Sequence, residues 1–276
     1  GLNMKAMAEC HVIAHNNNTV GWGRTTRTAI GLLAKGHNWH QTGKMAADPT
    51  ASGKKLVGNG ILMKCSPLGA YRAVEEVDGR HFNQFCVHYS AMTHYNKMAA
   101  YSGIIHANAI DYILKSDIEH FDTIDFLDLV CNRIWKWAED KEGENYFDVT
   151  HLDGILDPLY NQFSELWKLR HELPKMTAEE LRKKFKTSGY IVESMPFSYA
   201  MFAKNPYSAF DAGFDTIHQG GDTDSNAKVV LEMIGALHGL DVFRRDQSEW
   251  MIKGLFCFDR MMKSAEAFCD KFGVER

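Results

Sequence analysis

The residues best equipped for chemistry in this sequence are Gly220-Gly221-Asp222-Thr223-Asp224-Ser225-Asn226. Two carboxylates one residue apart, followed by a hydroxyl and an amide and introduced by paired glycines, make an oxygen donor set where backbone can approach a ligand closely. Such a set suits a cation. Downstream, Ala227, Val230, Leu231, Ile234 and Leu237 recur at helical spacing, so the acids fall on the first turn of an amphipathic helix that ends near Gly239. The plainer reading is a helix cap beside a favourable dipole, for which one acid suffices. An EF-hand loop would place glycine at Ala227 and glutamate at Met233, and an aspartate that accepts phosphate would follow a more apolar strand than Phe214 to Gln219 provides.

Three other stretches carry weaker signals. Gly21-Trp22-Gly23-Arg24-Thr25-Thr26-Arg27-Thr28 is a turn of glycines and hydroxyls feeding a helix through Ile30, Leu33 and Ala34 that stops at Gly36. That is a natural anion or metal-ligand position, and equally an ordinary capped helix. Gly58-Asn59-Gly60 marks a turn and alone says little about phosphate. His94 sits at a helix junction, where a histidine either touches a ligand or serves as a structural hydrogen-bonding residue.

The elements that must place these residues are helical. Ser66-Pro67 reads as the capped start of one helix, Asp78-Gly79 precedes a second, and a long third begins near Asn96. Phe126 to Trp137 describes a fourth, residues 155 to 169 another, and Thr177-x-x-Glu180 is a capping box for a short basic helix. Pro196 opens a further helix that Pro206 ends, and one or two amphipathic helices follow from Trp250 to Phe272. Residues 41 to 57 and 138 to 150 read as polar loops. No period-2 run, repeat or hairpin signal interrupts this pattern, so the expected fold is an all-α, compact, irregular bundle, with residues 1 to 276 forming a single domain.

Composition narrows the function classes. A net charge of -4 with no long basic tract excludes an extended nucleic-acid surface, and no apolar run approaches the roughly 20 residues a bilayer needs. Cys10, Cys65, Cys86, Cys131, Cys257 and Cys269 are scattered, with no Cys-x-x-Cys spacing and no secretory leader, which points to reduced thiols and a cytoplasmic location. Oligomeric state leaves no trace in the sequence.

Four separated segments, taken together, resemble the ADP-ribosylglycohydrolase family. They are Gly58-Asn59-Gly60-Ile61-Leu62-Met63-Lys64-Cys65-Ser66-Pro67-Leu68-Gly69, Thr93-His94, Ser194-Met195-Pro196-Phe197-Ser198-Tyr199-Ala200, and Gly220 to Asn226 followed by Gly235-Ala236-Leu237-His238-Gly239. The resemblance runs from about Val20 to Gly239. It implies a compact all-α fold of orthogonal helices around a cleft for two Mg²⁺ or Mn²⁺ ions. The implied activity is hydrolysis of the glycosidic bond from ADP-ribose to a protein side chain or small acceptor. Asp222, Asp224 and Ser225 would be metal ligands by similarity, Asp222 and Asp224 also the catalytic acids. Gly58, Asn59, Gly60, Gly220 and Gly221 would line the ADP-ribose site, with Met63 packed nearby and His94 approaching the ligand.

The sequence departs from the family pattern twice. Nothing in residues 1 to 20 matches the early glycine-aspartate-alanine-leucine-glycine segment, and the beginning is abrupt, which suggests that the family's N-terminal segment is lacking. Where relatives carry threonine-aspartate-aspartate-threonine, this chain reads Gly23-Arg24-Thr25-Thr26. Thr25 and Thr26 still offer oxygens to a metal, but two negative charges are gone. Arg24 is then a candidate to pair with Asp222 or Asp224 in the cation's place, which would make the protein an inactive binder of ADP-ribose or a nucleotide, or a structural relative.

Overall fold

The structure, a computed structural model, describes residues 2–17, 21–47, 57–139, 148–255 and 257–274. Its helices are α1 (Met4–Asn16), α2 (Arg24–Ala34), α3 (Trp39–Ala46), α4 (Leu62–Val74), α5 (Gly79–Ala91), α6 (Lys97–Leu114), α7 (Thr123–Glu139) and α8 (Asp157–Leu169). They continue with α9 (Ala178–Lys184), α10 (Ile191–Lys204), α11 (Ala209–His218), α12 (Thr223–His238), α13 (Asp241–Arg245), α14 (Glu249–Lys253) and α15 (Phe258–Phe272). Single 3-10 turns cover Asn59–Ile61 and Leu173–Lys175. No strand occurs among the described residues; backbone pairing outside helices is confined to two isolated bridges, Gly58 with Tyr190 and Asn96 with Asp153. The fold is all-α, as the periodicity predicts.

Two helices are buried on almost every side and act as the axis of the bundle. α6 hides nearly all residues from Met98 to Asp111, and α10 hides all but one from Ile191 to Ala203. A helix apolar all round has no solvent face and belongs at the centre. α4 lies against α6 so closely that a Cβ on Gly69 would come within 2.5 Å of the Ala107 carbonyl oxygen. Between α6, α7, α8 and α10 the rings of Phe121, Phe126, Phe163, Tyr199 and Phe202 meet at centroid distances of 5.3 to 5.9 Å. Burying each such ring contributes roughly 2–3 kcal/mol. One apolar core joins residues from Met4 to Phe243, whereas α15 has no fully buried residue.

A buried polar knot fixes α12 to α4 and α6. The Glu232 carboxylate takes hydrogen bonds from Ser66 and Lys228 and lies 2.7 Å from His106 Nε2, while His106 Nδ1 lies 3.1 Å from the Tyr199 hydroxyl. Burial pushes the Glu232 carboxyl up, but Lys228 and His106 outweigh it and hold the group below the usual carboxylate range. The helix that carries the acidic cluster is therefore registered against the helix that follows Gly58-Asn59-Gly60.

Several boundaries differ from the sequence expectation. α4 begins at Leu62, not at Ser66, and α10 begins at Ile191, not at Pro196; both prolines lie inside their helices. A proline there costs a backbone hydrogen bond, and the packing of Leu62, Cys65 and Leu68 in one helix and of Ile191, Val192 and Met195 in the other offsets it. Residues 41–46, expected as loop, belong to α3. Asn38 caps it, and Gly43 faces the backbone of Ala91 so closely that no Cβ fits. The remaining part of that loop, residues 48–56, and residues 140–147 lie outside the described residues. The capping box of Thr177 and Glu180 forms as expected.

Candidate functional site

The acidic cluster is held by backbone geometry. Gly220 and Gly221 adopt φ of +70° and +79°, a conformation glycine enters without a Cβ penalty. Gly221 also passes against Thr187, leaving no room for a side chain. The turn lets the Asp222 amide donate to the Thr187 carbonyl at 2.7 Å and starts α12 at Thr223. Asp222 occupies the N-cap position, yet its carboxylate makes no capping hydrogen bond. It faces Asn59 instead, whose Nδ2 donates to Asp222 Oδ2 at 2.6 Å. A cap-only role for Asp222 is thus excluded by where its side chain points.

Asn59 is the joint between the two glycine-containing turns. Its Nδ2 also donates to Ser194 Oγ at 2.9 Å; Ser194 donates to Asn226 Oδ1 at 2.6 Å, and Asn226 Nδ2 donates to the Thr187 carbonyl at 3.0 Å. The Asn59 backbone amide is bound to the Gly189 carbonyl at 2.9 Å. Asn59 therefore spends its side-chain and backbone donors inside the protein. The segment 187–191 runs between both turns and approaches Asp222 so closely that a Cβ at Gly189 would lie 3.2 Å from Oδ2. Thr187 and Gly189 act through a carbonyl and a missing side chain, and no sequence signal distinguishes them. Ser194 and Asn226 lie within the quoted motifs, although their pairing across 32 residues was not readable.

Gly60 gathers a second group. A Cβ there would lie 3.1 Å from His94 Cε1 and 3.3 Å from Thr26 Oγ1, so the histidine and the first turn of α2 both close on this glycine. His94 is buried, with Thr93 Oγ1 2.9 Å from its Nδ1. Burial and the Lys64 charge lower its pKa to about 3, so the ring is neutral at neutral pH. Thr26, Gly60 and Met63 line a cavity of about 470 Å³ enclosed by α1, α2, α4 and the start of α15. Thr25 is half-buried on the same turn of α2; among the described residues no hydrogen bond joins Thr25 or Thr26 to Asp222 or Asp224.

Arg24 does not take the place expected of it. It is exposed at the first position of α2 and makes no ion pair with either aspartate among the described residues. The proposed substitution of a guanidinium for a cation is therefore corrected: the helix start directs Arg24 to solvent. What faces the Asp222 carboxyl is different. Burial pushes its pKa up, the Asn59 amide opposes that, the Asp224 carboxyl raises it further, and Ser225 opposes again.

The fit of this set to divalent ions follows from its donors. Two carboxyls in direct contact require a proton or a cation between them, and Asp222, Asp224 and Ser225 are hard oxygen ligands of the kind Mg²⁺ or Mn²⁺ accepts. No group of three His, Cys, Asp or Glu side chains converges among the described residues. These donors are of the type a divalent ion accepts.

Fold and site together define an all-helical protein with a glycine-bordered acidic cleft built between two helix N-termini. The ADP-ribosylglycohydrolase family profile matches residues 3–275, and the chain belongs to that family. The match extends past the Val20 to Gly239 span of the motif resemblance and takes in α1 and α13 to α15. No curated protein matches the chain. All six cysteines are free thiols, and no helix among the described residues is long and apolar enough to cross a membrane.

Proposed function

We propose that the protein is a hydrolase that cleaves the glycosidic bond between ADP-ribose and a modified side chain or small acceptor, with Asp222 and Asp224 as the reacting carboxylates. The observation that carries this reading is the orientation of Asp222, turned away from its own helix and held by Asn59 beside a second carboxyl. Two-carboxylate glycosidases separate their acids by about 5 Å or more. Asp222 and Asp224 are within hydrogen-bonding reach of one another, so they act as one unit that holds either a shared proton or one ion. Asp222, Asp224 and Ser225 would hold a single Mg²⁺ or Mn²⁺, which when bound supplies positive charge for fixing ribose hydroxyls and a water.

The remaining residues prepare the cleft. Asn59 fixes the rotamer of Asp222, Gly60 keeps the floor open beside neutral His94, and Gly189 lets the 187–191 segment pass behind the acid without displacing it. Choice of acceptor belongs to the loops around the cleft.

A second reading, an ADP-ribose binder without hydrolytic activity, is favoured by one observation: fewer than three acidic, histidine or cysteine ligands converge among the described residues. Thermal melting with ADP-ribose separates the two, because a ligand of the folded state raises the melting temperature. A rise that requires Mg²⁺ or Mn²⁺ supports the hydrolase; a rise unaffected by chelator supports the binder. No rise withdraws both.

A further inference from the structure

Helix α11 turns its smallest residues inward and its largest outward. Ala209, Ala212, Gly213 and Thr216 are buried, and a Cβ on Gly213 would lie 3.2 Å from the Leu231 side chain, so α11 lies close upon α12. On the outer side Phe210, Phe214 and Ile217 are 39%, 50% and 45% exposed. The rings of Phe210 and Phe214 stack at 5.8 Å, and the Phe214 ring lies 3.8 Å from that of exposed His218. His218 Nδ1 is 2.8 Å from the Phe214 carbonyl oxygen, which fixes the imidazole at the end of this ladder. Tyr207, just before the N-cap Ser208, is also half-exposed, with its hydroxyl bound to the Phe121 carbonyl.

A surface helix of a monomer buries its large apolar residues and leaves polar ones outside. The exposed side chains of Tyr207, Phe210, Phe214 and Ile217 present on the order of 400 Å² of mostly apolar surface, a size at which a patch on a soluble protein marks an interaction site. Its pattern says what fits. Phe210, Phe214 and His218 are spaced by four residues, symmetrically about Phe214, and exposed Asp211 in the first turn is matched by His218 in the last. A two-fold axis through Phe214 lays a second α11 antiparallel on the first. Phe214 then meets the partner's Phe214, and Phe210 lies over the partner's His218, with Asp211 beside that same ring. Self-complementarity of this kind is what an isologous contact requires, and the antiparallel arrangement also opposes the two helix dipoles. Doubling the patch gives on the order of 800 Å² from these side chains, and a polar rim brings the total to the roughly 1,200 Å² of a small specific interface.

We propose that the outer face of α11 is a homodimer interface, its occupant a second copy of this chain, with Phe214 on the two-fold axis and Asp211 paired with the partner's His218 at each rim. The interface stands apart from the glycohydrolase reading, because none of its residues touches the acidic cluster. It adjoins that cluster along the chain: α11 ends at His218, two residues before the Gly220-Gly221 turn that carries Asp222.

Sedimentation velocity of the full chain from about 1 to about 100 μM tests the assignment. Wild type should approach twice the 31.3 kDa of one chain as concentration rises. Phe214→Glu sets two carboxylates against each other on the axis and should weaken self-association by about 100-fold or more, with a melting temperature close to that of wild type because the side chain is exposed. His218→Asp places like charges at both rims and should weaken the dimer about fivefold, and adding Asp211→Arg to it should restore the wild-type affinity. Should Phe214→Glu melt early, this charge exchange gives the same decision. A wild type that stays at 31.3 kDa throughout overturns the proposal. So does a dimer that Phe214→Glu leaves intact, or one that the charge exchange fails to restore. A monomeric wild type whose Phe214→Glu form releases ADP-ribose normally from a short modified peptide but poorly from a whole modified protein assigns the face to the acceptor and likewise overturns the dimer.

Discussion

At the scale of single residues, the site is a set of side chains held in place by backbone. Asn59 holds Asp222 from one side and the 187–191 segment from the other, and on the proposed reading this carboxyl carries the chemistry. Replacing Asp222 by Asn removes the charge and keeps the shape. Turnover of an ADP-ribosylated substrate should fall by a factor of about 100 or more, the scale of losing a group that acts on the reacting atoms, while the melting temperature changes little. Gly221→Ala separates backbone from chemistry. A side chain there meets Thr187 and requires φ of +79° from a non-glycine residue, so the variant should lose about 1–3 kcal/mol of stability in denaturant unfolding. An unchanged midpoint would show that the turn is not as tight as described. The same contrast explains what could be read in advance. The pattern of Asp222, Asp224 and Ser225 is carried by side-chain types and was legible; Thr187 and Gly189 contribute a carbonyl and an absence, which leave no mark in a sequence.

At the scale of elements, α12 bears the acids and its placement depends on the knot of Glu232, His106, Ser66 and Lys228. Glu232→Ala leaves His106 without its carboxylate and Lys228 without its counter-charge, and breaking a buried pair in this way costs about 3–5 kcal/mol. The double variant with Lys228→Met should recover part of that loss, and a double-mutant cycle in urea reads the coupling. Simple additivity of the two changes would contradict the knot. His106 and Glu232 are 126 residues apart, so no local pattern announces them. Local signals did give most helices, the Thr177 capping box and the Gly239 stop of α12. They misplaced the starts of α4 and α10, because proline is a strong punctuator in isolation and buried packing overrode it in both helices. α3 is hidden in the sequence for the opposite reason: its polar residues carry little periodicity, and the close approach of Gly43 to α5 is a tertiary fact.

At the scale of the whole molecule, charge placement ties stability to pH. His94 and His11 have folded-state pKa values near 3 and near 4, both below the ordinary histidine value. A depressed histidine means that the unfolded chain binds more protons, so stability is fully present above about pH 6.5 and declines as pH falls toward the folded values. By pH 4 each histidine contributes a loss on the order of 3 kcal/mol. Unfolding in denaturant at pH 7, 6 and 5 should show the decline, and the double replacement His94→Gln with His11→Asn should flatten it; an equally steep decline in the double variant would place the cause elsewhere. Thr26 and His94 both close on Gly60, one residue from the Asn59 that holds Asp222.

On the proposed reading this cleft cleaves ADP-ribose from an acceptor and Asp222 is required. The direct measurement is the release of free ADP-ribose from ADP-ribosylated peptides carrying the modification on arginine or on serine, by wild type and by Asp222→Asn, with Mg²⁺ or Mn²⁺ and with chelator. Release by wild type that needs the metal and is abolished in Asp222→Asn is the predicted result. Binding of ADP-ribose with no release from either peptide under any of these conditions would contradict it and identify the protein as a member of the family that holds the ligand without cutting it.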